Sequence, residues 1–345
     1  MEYSVRKQPG IFPTFPLAEL HAHIGTSINP FIYWQIAHEH GFKLPKKSYR
    51  EFVDYITLSP DKKMKLDDYL RSIYHPVLDK LSSGTFALER AMYETMGGAY
   101  RNNITHIEIR GNIMKHNNNG EQDLDHIIMA MIRGMERAFL EYPQLSGGYI
   151  FCLDREFSIE KNAIMIDKAI KYRRRGIVAI DFAGPASDKF KLKDYKQLIE
   201  KAKTAGLSVT THSGEVDDSN DMWEAIEFIK PKRIGHGIKA AYDKALMKEL
   251  VKQDIVLEVC PMSNLMTEAV ENEEELTFIL RTFIENNVKF TINTDWPEMI
   301  TDAHLWRQFA MLRDKKMLTE EELKKCNQIA FESTFAPKGG LEAYL

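Results

Sequence analysis

The sequence predicts a single α/β domain with the (β/α)8 TIM-barrel fold and a helical insertion after the first strand. Short apolar runs rich in β-branched residues recur about eight times, and stretches of helical period separate the later ones. Strands that alternate with helices imply parallel strands joined by right-handed crossovers, in a sheet that is either open or closed. Eight such units in 345 residues favour the closed barrel.

The predicted strands are short, and several end in a polar residue. They span residues 17–23, 104–110, 148–153, 177–182, 207–212, 233–236, 255–259 and 288–293. The predicted helices between the later strands span residues 159–174, 192–205, 222–229, 242–253 and 273–286. The open alternative is disfavoured, because the sequence has neither GxGxxG after the first strand nor GxxxxGK[ST] elsewhere.

About eighty residues separate the first two predicted strands, and we expect them to form a helical lid. Stretches of helical period lie there at residues 30–40, 67–81 and 85–101. A long connection that follows a barrel strand lies over the C-terminal mouth, where function concentrates. With no internal repeat or flexible linker in the sequence, we predict one domain over residues 1–345, with the lid at about 25–103.

Composition excludes several classes of protein. The chain is 44% hydrophobic and 28% charged with a net charge of −4, which is typical of a folded globular protein and disfavours a nucleic-acid partner. The start "MEYSVRKQPG" lacks the apolar core of a signal peptide, and no apolar run approaches the ~20 residues of a membrane span. We therefore expect a cytoplasmic protein with no membrane partner, and the oligomeric state stays open. Three distant cysteines disfavour a disulfide framework.

Two histidines lie one residue apart at the end of the first predicted strand. They are His21 and His23, in the stretch "LAELHAHIGTSINP". Residues two apart on a strand point to the same side, so both imidazoles can face the interior of a barrel at its C-terminal end. Taken alone, this pair fits a hydrogen-bonded strand end as well as a metal site.

Three further motifs also end predicted strands. His212 and Glu215 lie in "HSGE", His236 lies in "RIGHG" and Asp295 lies in "NTD". Each residue alone could be structural, but barrel enzymes gather their catalytic groups from the C-terminal ends of several strands. The pair His21 and His23, together with "HSGE" and "NTD", offers three imidazole nitrogens and one carboxylate oxygen, which suit Zn²⁺ or a similar divalent ion. The shared placement favours a metal-dependent active site.

These motifs resemble those of the adenosine deaminase family of zinc-dependent purine aminohydrolases, part of the amidohydrolase superfamily. The matching stretches are "ELHAH", "HSGE", "RIGHG", "EVCPMSN" and "NTD", in the family order and over nearly the whole length. The resemblance implies a (β/α)8 barrel with helices inserted after the first strand. It also implies one zinc ion per chain and hydrolytic removal of a purine amino group, with release of ammonia.

The resemblance implies a role for each matching residue. The implied zinc ligands are His21, His23, His212 and Asp295. Glu215 would protonate the ring nitrogen beside the attacked carbon, and His236 would orient and deprotonate the attacking water. Asp295 would also hydrogen-bond the hydroxide. Gly184, in "DFAGP", would contact the purine ring through its backbone.

Two positions depart from the family pattern, both on the substrate side. Where the family usually has HxHLDG, with an aspartate that helps to hold the ribose, this chain has Gly25. Where the family usually has NTDDP, with a second aspartate at the N7 edge of the purine, this chain has Trp296. We expect Trp296 to line the pocket, with packing under the lid as the alternative. The expected substrate is an adenine-like purine, nucleoside or modified derivative, and plain adenosine is not singled out.

Other metal-enzyme classes fit less well. Cytidine-type deaminases carry P-C-x-x-C, whereas Cys260 precedes its proline and no second cysteine follows. Binuclear amidohydrolases bridge two metals with a modified lysine at the end of the fourth strand, where this chain offers Asp181. Two alternatives stay open: a relative that hydrolyses another C–N bond, and a non-catalytic binding or regulatory relative. Metal analysis with a turnover assay separates them.

Overall fold

Eight parallel strands form a barrel whose order follows the chain. The computed structural model describes residues 14–344 apart from residues 118–119, 186, 188–189 and 217, so the start "MEYSVRKQPG" lies outside the described residues. The strands are β1 (Leu17–His23), β2 (Ile104–Gly111), β3 (Ser146–Asp154), β4 (Ile177–Ala183), β5 (Ser208–Ser213), β6 (Arg233–His236), β7 (Val256–Val259) and β8 (Phe290–Ile292). Backbone hydrogen bonds from His23 N to Asp295 O (3.2 Å) and from Asp295 N to His21 O (2.8 Å) link the eighth unit to β1. The predicted barrel is confirmed.

The strand sequences are largely apolar because both faces of the sheet are covered by other parts of the protein. All described residues of β3 and β4 are buried, as expected for parallel strands between a packed interior and an outer layer of helices. The longer helices of this outer layer are Leu124–Glu141, Ile159–Tyr172, Lys196–Thr204, Lys244–Lys252, Glu273–Glu285, Leu305–Asp314 and Glu320–Glu332. Shorter helices lie at Asn220–Glu224, continued by a π-helical turn at Ala225–Ile229, and at Pro261–Met266.

Helices also fill the connection between β1 and β2. They are Ile24–Ser27, Pro30–Glu39, Tyr49–Ile56, a continuous helix over residues 66–81, and Thr85–Arg101. We call residues 66–81 the insertion helix; its middle, Leu70–Leu78, is π-helical and contains Pro76. Proline lacks an N–H and collides with the carbonyl four residues earlier, which a wider π turn accommodates. That these helices act as a lid stays a prediction. In the part of the chain that the structure describes, every helix is too short or too polar to cross a membrane.

A network of buried charges crosses the barrel interior. Arg233 contacts Glu258 (Nε to Oε1, 2.6 Å) and Glu108 (NH2 to Oε2, 2.6 Å). Arg110 contacts Glu258 (NH2 to Oε2, 2.7 Å) and Asp181 (NH1 to Oδ2, 2.8 Å). All five side chains are fully buried. Charges removed from water are tolerated only when they are paired and hydrogen-bonded, so the members of this network depend on one another.

Arg233→Met is expected to lower the free energy of unfolding by about 3–5 kcal/mol, because it leaves two carboxylates buried without that guanidinium. Chemical denaturation followed by circular dichroism measures this loss. The matched control is Arg281→Met, which removes a partly exposed guanidinium 2.8 Å from Glu322 and should cost about 1 kcal/mol or less. Equal losses for the two variants would contradict the assigned importance of the buried network.

Candidate active site

Four side chains from distant strands meet at the C-terminal end of the barrel. His21 and His23 end β1, His212 lies in β5, and Asp295 follows β8. The Nε2 atom of His212 lies 3.1 Å from that of His21 and 3.0 Å from that of His23. Oδ1 of Asp295 lies 3.6 Å from Nε2 of His21 and 3.4 Å from Nε2 of His23. The structure therefore brings the four predicted ligands together.

The donor atoms of this cluster fit a divalent metal ion. Two atoms that each lie about 2.1 Å from a tetrahedral zinc ion are about 3.4 Å apart, close to the spacings observed. Oδ1 of Asp295 is buried and has no hydrogen-bond partner among the described residues. Burial lowers the pKa of His21 and of His23 well below the usual range, which keeps both imidazoles in the neutral form that binds metals. Burial raises the pKa of Asp295 to about 6.

A second layer of carboxylates orients the imidazoles. Nδ1 of His21 lies 2.8 Å from Oε2 of Glu258, and Nδ1 of His212 lies 3.0 Å from Oδ2 of Asp181. A carboxylate at Nδ1 fixes the proton there, so that Nε2 is left as the ligand atom. The guanidinium of Arg110 bridges the two carboxylates. The buried Arg110 therefore positions both carboxylates that orient the predicted ligands His21 and His212.

Asp181→Asn is expected to weaken zinc binding by about 10- to 100-fold, because the orienting partner of His212 loses its charge. Competition with a chromophoric chelator measures the affinity directly. Asp167→Asn is the matched control, since Asp167 is an exposed carboxylate that pairs with Lys201. An unchanged zinc affinity in Asp181→Asn would show that this carboxylate does not support the site.

Two further predicted residues form a buried pair beside the cluster. Glu215 follows β5 and His236 ends β6, with Oε2 of the glutamate 3.5 Å from Nε2 of the histidine. Burial, followed by the charge of Asp295, raises the pKa of Glu215 to about 8. The side chain is therefore a protonated acid at neutral pH. Burial lowers the pKa of His236 well below its usual range, and its Nδ1 lies 3.0 Å from Nδ2 of Asn264.

Two of the site residues adopt backbone conformations that non-glycine residues rarely take. His236 and Asp295 both have φ of 59°, in the left-handed region. Such conformations cost about 1 kcal/mol or more and concentrate at functional sites. Surrounding contacts hold both residues: Asn264 lies at the imidazole, and Oγ of Ser263 donates to Oδ2 of Asp295 (2.6 Å).

A cavity of about 560 Å³ opens onto this cluster. Its lining includes the predicted residues His23, Gly184, His212, Glu215, His236, Asp295 and Trp296. His21 is fully buried beside it. Gly184 has φ of 95°, and Trp296 is 3% exposed with its ring centroid 4.5 Å from that of Tyr69 on the insertion helix. Trp296 thus both lines the cavity and packs under the inserted helices.

Three polar residues of the site had no role in the sequence interpretation. Glu258, Ser263 and Asn264 support His21, Asp295 and His236 respectively. All three lie in the matching stretch "EVCPMSN", so the motif itself carried a signal. Polar residues that end a buried strand and begin a helix on the catalytic side of a barrel are candidates for this role.

Fold and site together define a barrel enzyme with a candidate metal centre at the C-terminal ends of its strands. Residues 16–343 match the family model described as adenosine deaminase. The chain belongs to the adenosine deaminase family, as its motifs predicted. The protein is a hydrolytic deaminase that acts on C–N bonds.

Individual relatives cover the chain almost completely. An adenosine deaminase of Clostridium botulinum (strain 657 / Type Ba4) is 29% identical over 327 residues, which cover 95% of this chain and 96% of the relative. Adenine deaminase from Arthrobacter aurescens has a similar structure, with a TM-score of 0.82 and 21% identity over 95% of this chain and 98% of that chain. An amidohydrolase from Burkholderia ambifaria with bound Zn has a TM-score of 0.81 and 18% identity, over 94% of this chain and 86% of that chain. At these identities, the solved structures show the fold alone.

Proposed function

We propose that the protein removes the amino group of an adenine-like aminopurine, as a base, a nucleoside or a modified derivative, by zinc-dependent hydrolysis. The observation that carries this proposal is the buried pair of Glu215 and His236, which lines one cavity together with His23, His212 and Asp295. A binding protein has no use for a proton-transfer pair at such a cluster. The names of the relatives, adenosine deaminase and adenine deaminase, support an aminopurine.

Zinc would be held by three imidazole nitrogens and one carboxylate oxygen. The proposed ligands are His21, His23, His212 and Asp295. When bound, zinc supplies a water of lowered pKa, about 7, and stabilises negative charge that develops in the reaction. The Zn-bound amidohydrolase of similar fold supports zinc over other divalent ions.

Glu215 is the proposed proton donor. Attack at the carbon that bears the amino group breaks the aromaticity of the purine, so the adjacent ring nitrogen must be protonated at the same time. A carboxylic acid can deliver that proton only if it stays protonated near neutral pH, and burial gives Glu215 this property, with a pKa of about 8.

His236 is proposed to orient the attacking water and to accept its proton. His236 and Glu215 both line the cavity, and Nε2 of His236 lies 3.5 Å from Oε2 of Glu215. In the amide orientation that places Nδ2 of Asn264 3.0 Å from Nδ1 of His236, Nδ1 accepts and the imidazole proton lies on Nε2. Rotation of that amide would present Oδ1, which is buried without a partner among the described residues, and would free Nε2 to accept a proton.

Two wall residues are proposed to contact the base. Gly184 lines the cavity, and its φ of 95° lies in the left-handed region that favours glycine. Trp296 offers an aromatic face on which a purine can pack. We further propose that residues 1–345 form one deaminase domain, with about 25–103 as its lid.

Ammonia release from a panel of aminopurine bases, nucleosides and modified derivatives tests the proposal. The zinc-loaded protein is expected to convert at least one member with kcat/KM of about 10⁴ M⁻¹s⁻¹ or more. Release of ammonia only from substrates that are not purines would favour another C–N hydrolase. Tight binding of an aminopurine without turnover would favour a binding relative.

A further inference from the structure

A carboxylate stands beside Gly184 in the wall of the active-site cavity. It belongs to Asp154, the last residue of β3, which lines the same cavity and is 3% exposed. A Cβ atom added to Gly184 would lie 3.2 Å from Oδ1 and 3.5 Å from Oδ2 of Asp154. Any other residue at position 184 would place carbon against both oxygens, whereas glycine leaves that side of the carboxylate uncovered by a side chain.

The contacts of Asp154 hold its carboxylate in place. Its N–H donates to Oδ1 of Asn162 (3.1 Å), and its carbonyl accepts from Nδ2 of the same residue (2.9 Å). Oδ1 of Asp154 accepts from the N–H of Glu156 (2.7 Å), and Oδ2 pairs with Nζ of Lys115 (2.5 Å). Each carboxylate oxygen has two lone pairs, so each keeps one further acceptor position. Asp154 is thus a fixed acceptor for a hydrogen-bond donor on a ligand.

The barrel order places this carboxylate at one edge of a bound aminopurine. In the proposed reaction, the attacked carbon C6 lies at the zinc ligands and His236, and its neighbour N1 lies at Glu215, which follows β5. C2 is the next ring atom, on the far side of N1 from C6. His236 ends β6, so the opposite side of β5 is that of β4 and β3. A substituent on C2 therefore points towards Gly184 and Asp154.

We propose that Asp154 recognises an amino group on C2, so that the preferred substrate is a 2-amino derivative of adenine, with 2,6-diaminopurine as the parent base. This inference rests on the proposed function. An exocyclic amino group donates hydrogen bonds, and a charged acceptor makes such a bond stronger than a neutral one does. One water is consumed: its oxygen bonds to C6, the C6–N bond breaks and that nitrogen leaves as ammonia. The amino group on C2 is retained, so the product is guanine or its derivative.

The first test compares three substrates in the zinc-loaded wild type. Adenine, 2-methyladenine and 2,6-diaminopurine differ only at C2, and the methyl and amino groups are of nearly equal size. The kcat/KM for 2,6-diaminopurine is expected to exceed each of the other two by about 10-fold or more, because only the amino group donates to the carboxylate. The corresponding nucleosides serve in the same comparison if the enzyme requires a sugar. Equal values for the methyl and amino compounds, or a preference for adenine or for a 2-oxo group, would overturn the inference.

The second test removes the charge of the acceptor. Asp154→Asn is expected to lower the ratio of kcat/KM for 2,6-diaminopurine to that for adenine by at least about 5-fold, with the zinc content unchanged. The amide can keep Oδ1 at the N–H of Glu156, but it replaces the charged Oδ2 by a donor. Asp67→Asn is the matched control, since Asp67 is an exposed carboxylate that lines the same cavity from the insertion helix. It should leave the ratio unchanged.

The outcomes separate this inference from the proposed function. A folded Asp154→Asn enzyme with the wild-type ratio would exclude Asp154 as the acceptor. If that variant fails to fold, the comparison of the methyl and amino substrates in the wild type decides alone. Conversion of adenine without preference for the 2-amino compound would overturn only the inference, whereas ammonia release from no aminopurine at all would remove the proposed function as well.

Discussion

Glu215→Gln is expected to lower kcat by about 10²–10⁴-fold while leaving the zinc content unchanged. The amide has the shape of the carboxylic acid but cannot release a proton to the ring nitrogen. Its site is buried, and the raised pKa of about 8 shows that the environment already favours the uncharged acid, so the neutral amide is well accommodated. Steady-state ammonia release and metal analysis measure the two quantities on one preparation.

Glu156→Gln is the matched control for that variant. Glu156 is an exposed carboxylate that pairs with Arg71, so its loss should change kcat by less than about 2-fold. Thermal unfolding of both variants confirms that they fold. A Glu215→Gln enzyme that retains most of its activity would exclude this residue as the proton donor.

His212→Ala is expected to lose the bound metal and at least about 10³-fold in kcat/KM, because several kcal/mol of stabilisation of developing charge disappear with the ion. This ligand is the informative one to remove, since its Nε2 lies within 3.1 Å of the Nε2 atoms of both other imidazoles. Metal content after gel filtration and ammonia release are the measurements.

His38→Ala provides the control for a general effect of histidine removal. His38 is exposed on the helix Pro30–Glu39 and contacts only the carbonyl of Trp34 among the hydrogen bonds of the described residues. It should keep the metal and the activity. A His212→Ala protein that still binds one zinc with wild-type affinity would place the metal elsewhere.

The alternation of apolar and amphipathic segments made the barrel predictable. The predicted strands 17–23 and 233–236 agree with the structure to the residue, and the others differ by three residues or fewer at each end. The helix Tyr49–Ile56 escaped prediction because eight residues give only two turns of periodicity, although Ser48 and Glu51 form a capping box at its start. The helix Pro261–Met266 is shorter still.

The site was predictable where single motifs end strands, and less so where distant residues support them. The barrel geometry predicts that His21, His212 and Asp295 converge, because each lies at or just after a strand end. The contact of Arg110 with Glu258 joins residues 148 positions apart, and no periodicity of the chain signals it. The contact of Tyr69 with Trp296 depends likewise on how the inserted helices pack, which local sequence does not determine.

Zinc titration of the metal-free enzyme tests the central claim most directly. Ammonia release from an aminopurine should be negligible without metal, should rise in proportion to added zinc and should reach its plateau at about one equivalent per chain. Metal-free protein with full activity, or a plateau that requires a second equivalent, would contradict a single zinc site built from three histidines and Asp295.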